Sequence, residues 1–67
     1  MSAWVDNIFN AQQVTSGGVV RRSTYDVARL DALDEIVDRA MHEGWHVIET
    51  GGQVVVLCHT GALTIYC

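Results

Sequence analysis

The stretch from Gly44 to Cys67 constrains the fold of this chain more than any other. β-Branched and aromatic residues dominate it, and two short breaks, Gly51-Gly52 and Thr60-Gly61, divide it. That pattern predicts a three-stranded antiparallel meander over residues 45–67, joined by two-residue turns. The first turn sets Thr50 opposite Gln53, Ile48 opposite Val55 and His46 opposite Leu57. The second sets His59 opposite Ala62, Leu57 opposite Thr64 and Val55 opposite Tyr66. Strand side chains alternate, so Trp45, Val47, Glu49, Val54, Val56, Cys58, Leu63, Ile65 and Cys67 share one face. That face is expected to be the core. The opposite face mixes Ile48, Val55, Leu57 and Tyr66 with His46, His59, Thr50, Gln53 and Thr64, and carries no charge. An apolar row of that kind needs a cover.

The second firm element is a helix over residues 31–43. Leu30, Leu33, Ile36, Val37, Ala40 and Met41 recur at three- and four-residue spacing, and Gly44 stops the run. Two starts compete, Ser23 with Asp26 and Asp31 with Asp34. The later start is favoured because Val27 fits the apolar stripe least well. Upstream, Thr15-Ser16-Gly17-Gly18 is a break, and residues 19–25 read as a first, edge-type strand. Residues 1–14 form an arm in which Trp4, Val5, Ile8 and Phe9 line one face of a short helix, with Ser2 as N-cap. Such a helix is marginal alone in water and must dock on something. It covers this chain's own core or the uncharged sheet face, or it reaches another chain. The expected class is therefore α+β, a small β-α-β-β-β unit with one amphipathic helix on an antiparallel sheet and a short N-terminal helical arm.

Sixty-seven residues bury only a thin core, and the chain has two Cys and no Pro. This is not the composition of a disulfide-rich secreted scaffold. The first residues lack the basic and apolar regions of a signal peptide, so a cytoplasmic location is expected. No apolar run approaches the roughly 20 residues of a membrane span. The net charge of −4 comes from Asp26, Asp31, Asp34, Glu35, Asp38 and Glu43 set against Arg29 and Arg39. With four Arg and no Lys, the chain lacks the basic patch of a nucleic-acid binder. Single-strand binding through Arg21, Arg22 and Tyr25 is the weakest of the readings.

Chemistry-bearing residues are few. Cys58 and Cys67 share a face but lie about 13 Å apart, too far for one metal or one disulfide. His46 and His59 sit diagonally on the other face, close enough for two ligands, with no evident third. His42 lies on the polar side of the helix. Cys58 and His59 are neighbours in sequence, yet adjacent strand residues point to opposite faces and cannot act as thiol and base. Ser16-Gly17-Gly18 and Thr50-Gly51-Gly52 lack the spacing and Lys of a phosphate-binding loop. No catalytic group and no cofactor are expected.

What remains is a contact surface. Asp31, Asp34, Glu35 and Asp38 form an acidic ridge within about two helical turns, with Glu35–Arg39 and Asp38–His42 spaced to pair. Ile48, Val55, Leu57 and Tyr66 form an apolar alternative. The expectation is a non-enzymatic, acidic protein-binding module, of the kind used by phage or mobile elements to inhibit a nucleic-acid-processing complex through protein contact. A homodimer is expected from the thin core and the uncovered sheet face. The competing reading is a metal-responsive or small-ligand-binding regulator using His46 and His59.

Overall fold

The computed structural model describes residues 2–67, apart from the side chains of residues 12 and 13. The order is α1 (Ala3–Phe9), α2 (Gln12–Thr15), β1 (Val19–Ser23), α3 (Thr24–Arg29), α4 (Leu33–Glu43), β2 (His46–Thr50) and β3 (Gln53–Leu57). The three strands form one antiparallel sheet in the order β1-β3-β2. The α+β class, the amphipathic helix on an antiparallel sheet and the helical N-terminal arm agree with the sequence reading.

The β2–β3 hairpin has the expected register. His46 lies opposite Leu57, Ile48 opposite Val55 and Thr50 opposite Gln53. Gly51 and Gly52 both take positive φ, 55° and 75°, the geometry of a two-residue turn that suits the strand twist. The third strand of the meander does not form. Residues 62–67 have no regular structure, because the free side of β3 is filled by β1. The register runs from Val19 opposite Leu57 to Ser23 opposite Gln53. A strand has two edges, and both edges of β3 are occupied. Leu63, Ile65 and Cys67 are consequently exposed and not part of the core, and Tyr66 is not on the sheet.

The first strand is shorter than residues 19–25, for a local reason. The Ser23 hydroxyl accepts a hydrogen bond from the Asp26 N–H at 3.1 Å, which ends β1 and starts α3 at Thr24. The earlier of the two candidate starts is thus a real cap, but for a separate helix. α3 ends where Asp31 takes φ 49°. Its N–H bonds the Ala28 carbonyl, and the Ala32 N–H bonds the Val27 carbonyl, both at 3.0 Å. This paired 5→2 and 6→1 closure is a Schellman motif, and both Val27 and Ala32 are buried. Asp31 is therefore a hinge between helices rather than the first residue of one, and α4 begins at Leu33. The same closure ends α4. Gly44 (φ 77°) donates to Met41 and Trp45 donates to Ala40.

The core lies on one side of the sheet. Val20, Val54 and Val56 of the sheet and Cys58 just past β3 join Val5, Ile8, Val27 and Ile36 of the helices and Ala32 between α3 and α4. Val5 and Ile8 are essentially inaccessible, so the arm covers this chain's own core on the same side as α4. It does not cover the opposite sheet face, where the sequence left it as one candidate lid. Nor is that face uncharged. β1 adds Arg21 to it, directly opposite Val55.

Candidate functional site

The acidic ridge separates into two parts. Glu35, in the first turn of α4, faces the arm. Its carboxylate accepts the Ser2 N–H at 3.3 and 3.4 Å and lies 4.0 Å from the Arg39 guanidinium. Arg39 donates to Asp6 of α1 and lies over the Phe9 ring, 4.6 Å from its centroid. Phe9 in turn stacks on Trp45, with centroids 5.8 Å apart and planes 6° from parallel. Glu35 and Arg39 thus belong to a strut that fastens the arm to α4, and the Glu35–Arg39 pairing expected from spacing is part of it.

Asp31, Asp34 and Asp38 are different. All three are exposed, and none of their carboxylates has a hydrogen bond or ion pair among the described residues. Asp34 and Asp38 are one helical turn apart, with Asp31 at the hinge just before the helix. The expected Asp38–His42 pair does not form. Two basic residues near this surface are already engaged: Arg39 in the strut, and Arg29 with Asp26 at 3.3 Å. The three carboxylates therefore present net negative charge outward, with a reach set by a Debye length of about 8 Å at physiological salt.

The apolar candidates do not form a flat, open row. Val55 is buried, Ile48 and Leu57 are half-buried, and Tyr66 is 94% exposed on the segment beyond the sheet. The two histidines do meet, with ring centroids 5.7 Å apart. Their visible task is structural. His46 Nε2–H donates to the Gly61 carbonyl at 2.6 Å, and His59 Nδ1 accepts the Gly61 N–H at 3.1 Å. Together they clasp the start of the C-terminal segment. Among the described residues, no group of three or more His, Cys, Asp or Glu side chains is placed to hold a metal ion.

Cys58 and His59 diverge, as strand alternation requires. The Cys58 thiol points into the core towards the Val56 carbonyl, 3.7 Å away, and burial pushes its pKa up. Cys67 is free and exposed. One thiol per chain should therefore react promptly with a disulfide reagent at pH 8, and the second only on unfolding. The raised thiol also has a stability consequence. Its contribution is present below the ordinary thiol range, about pH 8.5, and is lost as pH rises, because the unfolded chain ionises first. Cys58→Ala should remove that part of the alkaline decline, which denaturant titrations between neutral and alkaline pH will measure.

A groove of about 400 Å³ lies between the arm and the C-terminal end of α4, lined by Phe9, Asn10, Val14, Arg39, His42, Glu43 and Trp45. Nothing in the residue pattern points directly to it. Phe9 and Trp45 are far apart in the chain, and only the docking of the arm brings their rings together. Arg39 faces the groove with its charge already met by Asp6 and Glu35. Among the described residues, no helix is long and apolar enough to cross a membrane. Comparison with protein-family models, with curated proteins and with solved structures finds no match for this chain.

Proposed function

We propose that this domain is a non-enzymatic protein-binding module that engages a basic surface through Asp31, Asp34 and Asp38. The observation that carries this reading is the division of the acidic ridge. Glu35 is consumed inside the fold, whereas the other three carboxylates stay exposed and unpaired among the described residues. Exposed unpaired charge contributes little to stability but steers association and selects partners. A surface of Arg and Lys that normally holds a nucleic-acid backbone is the complementary shape of charge. Occupying such a groove inhibits the complex that owns it, in the manner of phage or mobile-element inhibitors.

Reversing Asp34 and Asp38 to Lys tests this. The double variant should keep the wild-type fold and lose its partner when affinity-purified from the native host. A charge-matched control, Glu43→Lys with Glu49→Lys, should retain it. Wild-type binding should also weaken steeply with added salt. Identical partner sets for wild type and the Asp34/Asp38 variant would remove the acidic line from the interface.

A further inference from the structure

We infer that residues 62–67 form a strand on the β2 edge of a second copy of this chain, making a reciprocal dimer. Both halves of that contact are present in one molecule. The segment Ala62-Leu-Thr-Ile-Tyr-Cys67 has strand-forming residues in alternation and no charge. In the single chain it has no regular structure, with Leu63 at 42%, Ile65 at 77% and Tyr66 at 94% exposure. Its nearest sheet position, the second edge of β3, is held by β1.

The sheet offers two outer edges, and they are not equivalent. On β1, the Arg21 carbonyl already accepts a bond from the Arg22 guanidinium at 2.7 Å, and α2 and α3 pack against the strand. Charged side chains and edge cover are how a strand is kept from pairing. β2 also has a helix against it, α4, but it carries less charge, with Glu49 as its one charged residue beside Val47 and Ile48. Its open hydrogen-bonding groups follow from the ladder. The bonds from Cys58 N–H to the Gly18 carbonyl and from Thr24 N–H to the Gly52 carbonyl show that even-numbered residues of β3 bond β1. Odd-numbered residues of β3 therefore bond His46, Ile48 and Thr50, which leaves the N–H and C=O groups of Val47 and Glu49 pointing outward.

The exit point lies at the β2 edge itself, and in the single chain the segment does not pair with that edge. The His46 and His59 rings hold Gly61 beside the first residue of β2. Each segment thus leaves its own molecule at the end of the edge that its twin's segment would fill. Such a contact uses the same surfaces on both copies and closes on itself. It is separate from the acidic line on α4, so each can fail without the other.

Light scattering coupled to size exclusion, on the full chain under reducing conditions, tests the inference. The wild type should show twice the chain mass at high concentration. Ile65→Lys with Tyr66→Lys, a change confined to exposed side chains, should show the single-chain mass with an unchanged circular dichroism spectrum. Tyr25→Lys, at another exposed aromatic, on α3, should remain dimeric. Amide exchange reads the edge without altering it: the Val47 and Glu49 N–H groups should be protected in the wild type and exchange freely in the tail variant. A monomeric wild type, a dimeric tail variant, or equal exchange at Val47 and Glu49 in both proteins would each overturn the inference.

Discussion

Ile36→Ala should destabilise this domain by about 2–5 kcal/mol, the range for deleting a large buried aliphatic side chain. Ile36 is fully inaccessible and sits in the core between α4 and the sheet. The loss combines transfer of the deleted methyl groups with the cavity they leave, because a domain this thin has few neighbours free to collapse inward. The scale is large against the whole. A chain of this length has about 3–10 kcal/mol of folding stability, at roughly 0.05–0.15 kcal/mol per residue. At the low end of that range a substantial fraction of the variant is unfolded at room temperature. Urea titration should show the midpoint falling steeply with an unchanged slope. A loss below about 1 kcal/mol, the level of typical surface changes and mild swaps, would mean that Ile36 is not held in a packed core.

Ile8→Ala is the second large effect and tests the arm. A seven-residue helix cannot persist alone in water, so α1 exists only by burying Val5 and Ile8 against the sheet side of the core. Truncating Ile8 should again cost about 2–5 kcal/mol, and the cost should appear in the single cooperative unfolding transition of the whole domain. Asn7→Ala, at an exposed position on the same helix, should change stability by no more than about 0.5 kcal/mol. The polar strut is a smaller contributor. Asp6 and Arg39 are partly exposed, so their ion pair is worth at most about 1 kcal/mol, and apolar burial dominates the docking. An Ile8→Ala protein that melts in two steps, with the arm leaving first, would show that the arm is an accessory rather than part of the core.

Much of this architecture was legible in the residues. The hairpin register, the stop at Gly44 and the apolar stripe of α4 depend on short-range rules: turn geometry, the left-handed C′ residue and helical spacing. The Val5/Ile8 pattern likewise announced a helix that had to dock. The errors came from competition at longer range. Residues 62–67 have as good a claim to a strand as Val19–Ser23, and local pattern does not decide which of them gains β3. Tertiary context did, and it moved Leu63, Ile65 and Tyr66 from the sheet to the surface. Val27 was the informative misfit: it departs from the α4 stripe because it belongs to α3, whose Ser23 cap was visible in the sequence. At the candidate site, the acidic ridge was legible as composition but its division was not. Only the position of Ser2 and Arg39 shows that Glu35 is spent inside the fold while Asp31, Asp34 and Asp38 remain available.

The pairing of β1 with β3 underlies the sheet order and the account of the tail, since it excludes the C-terminal segment from the free side of β3 and leaves it free to act elsewhere. Val55 is the decisive residue, because Arg21 and Tyr66 compete for the position opposite it. Arg21 and Val55 form a non-hydrogen-bonded pair, whose Cα atoms approach to about 4.5 Å, so their α-protons should give a strong nuclear Overhauser contact in the folded protein. A strong contact between the α-protons of Val55 and Arg21, with none between Val55 and Tyr66, is the expected result. The reverse pattern would contradict the sheet order and with it the exposed tail.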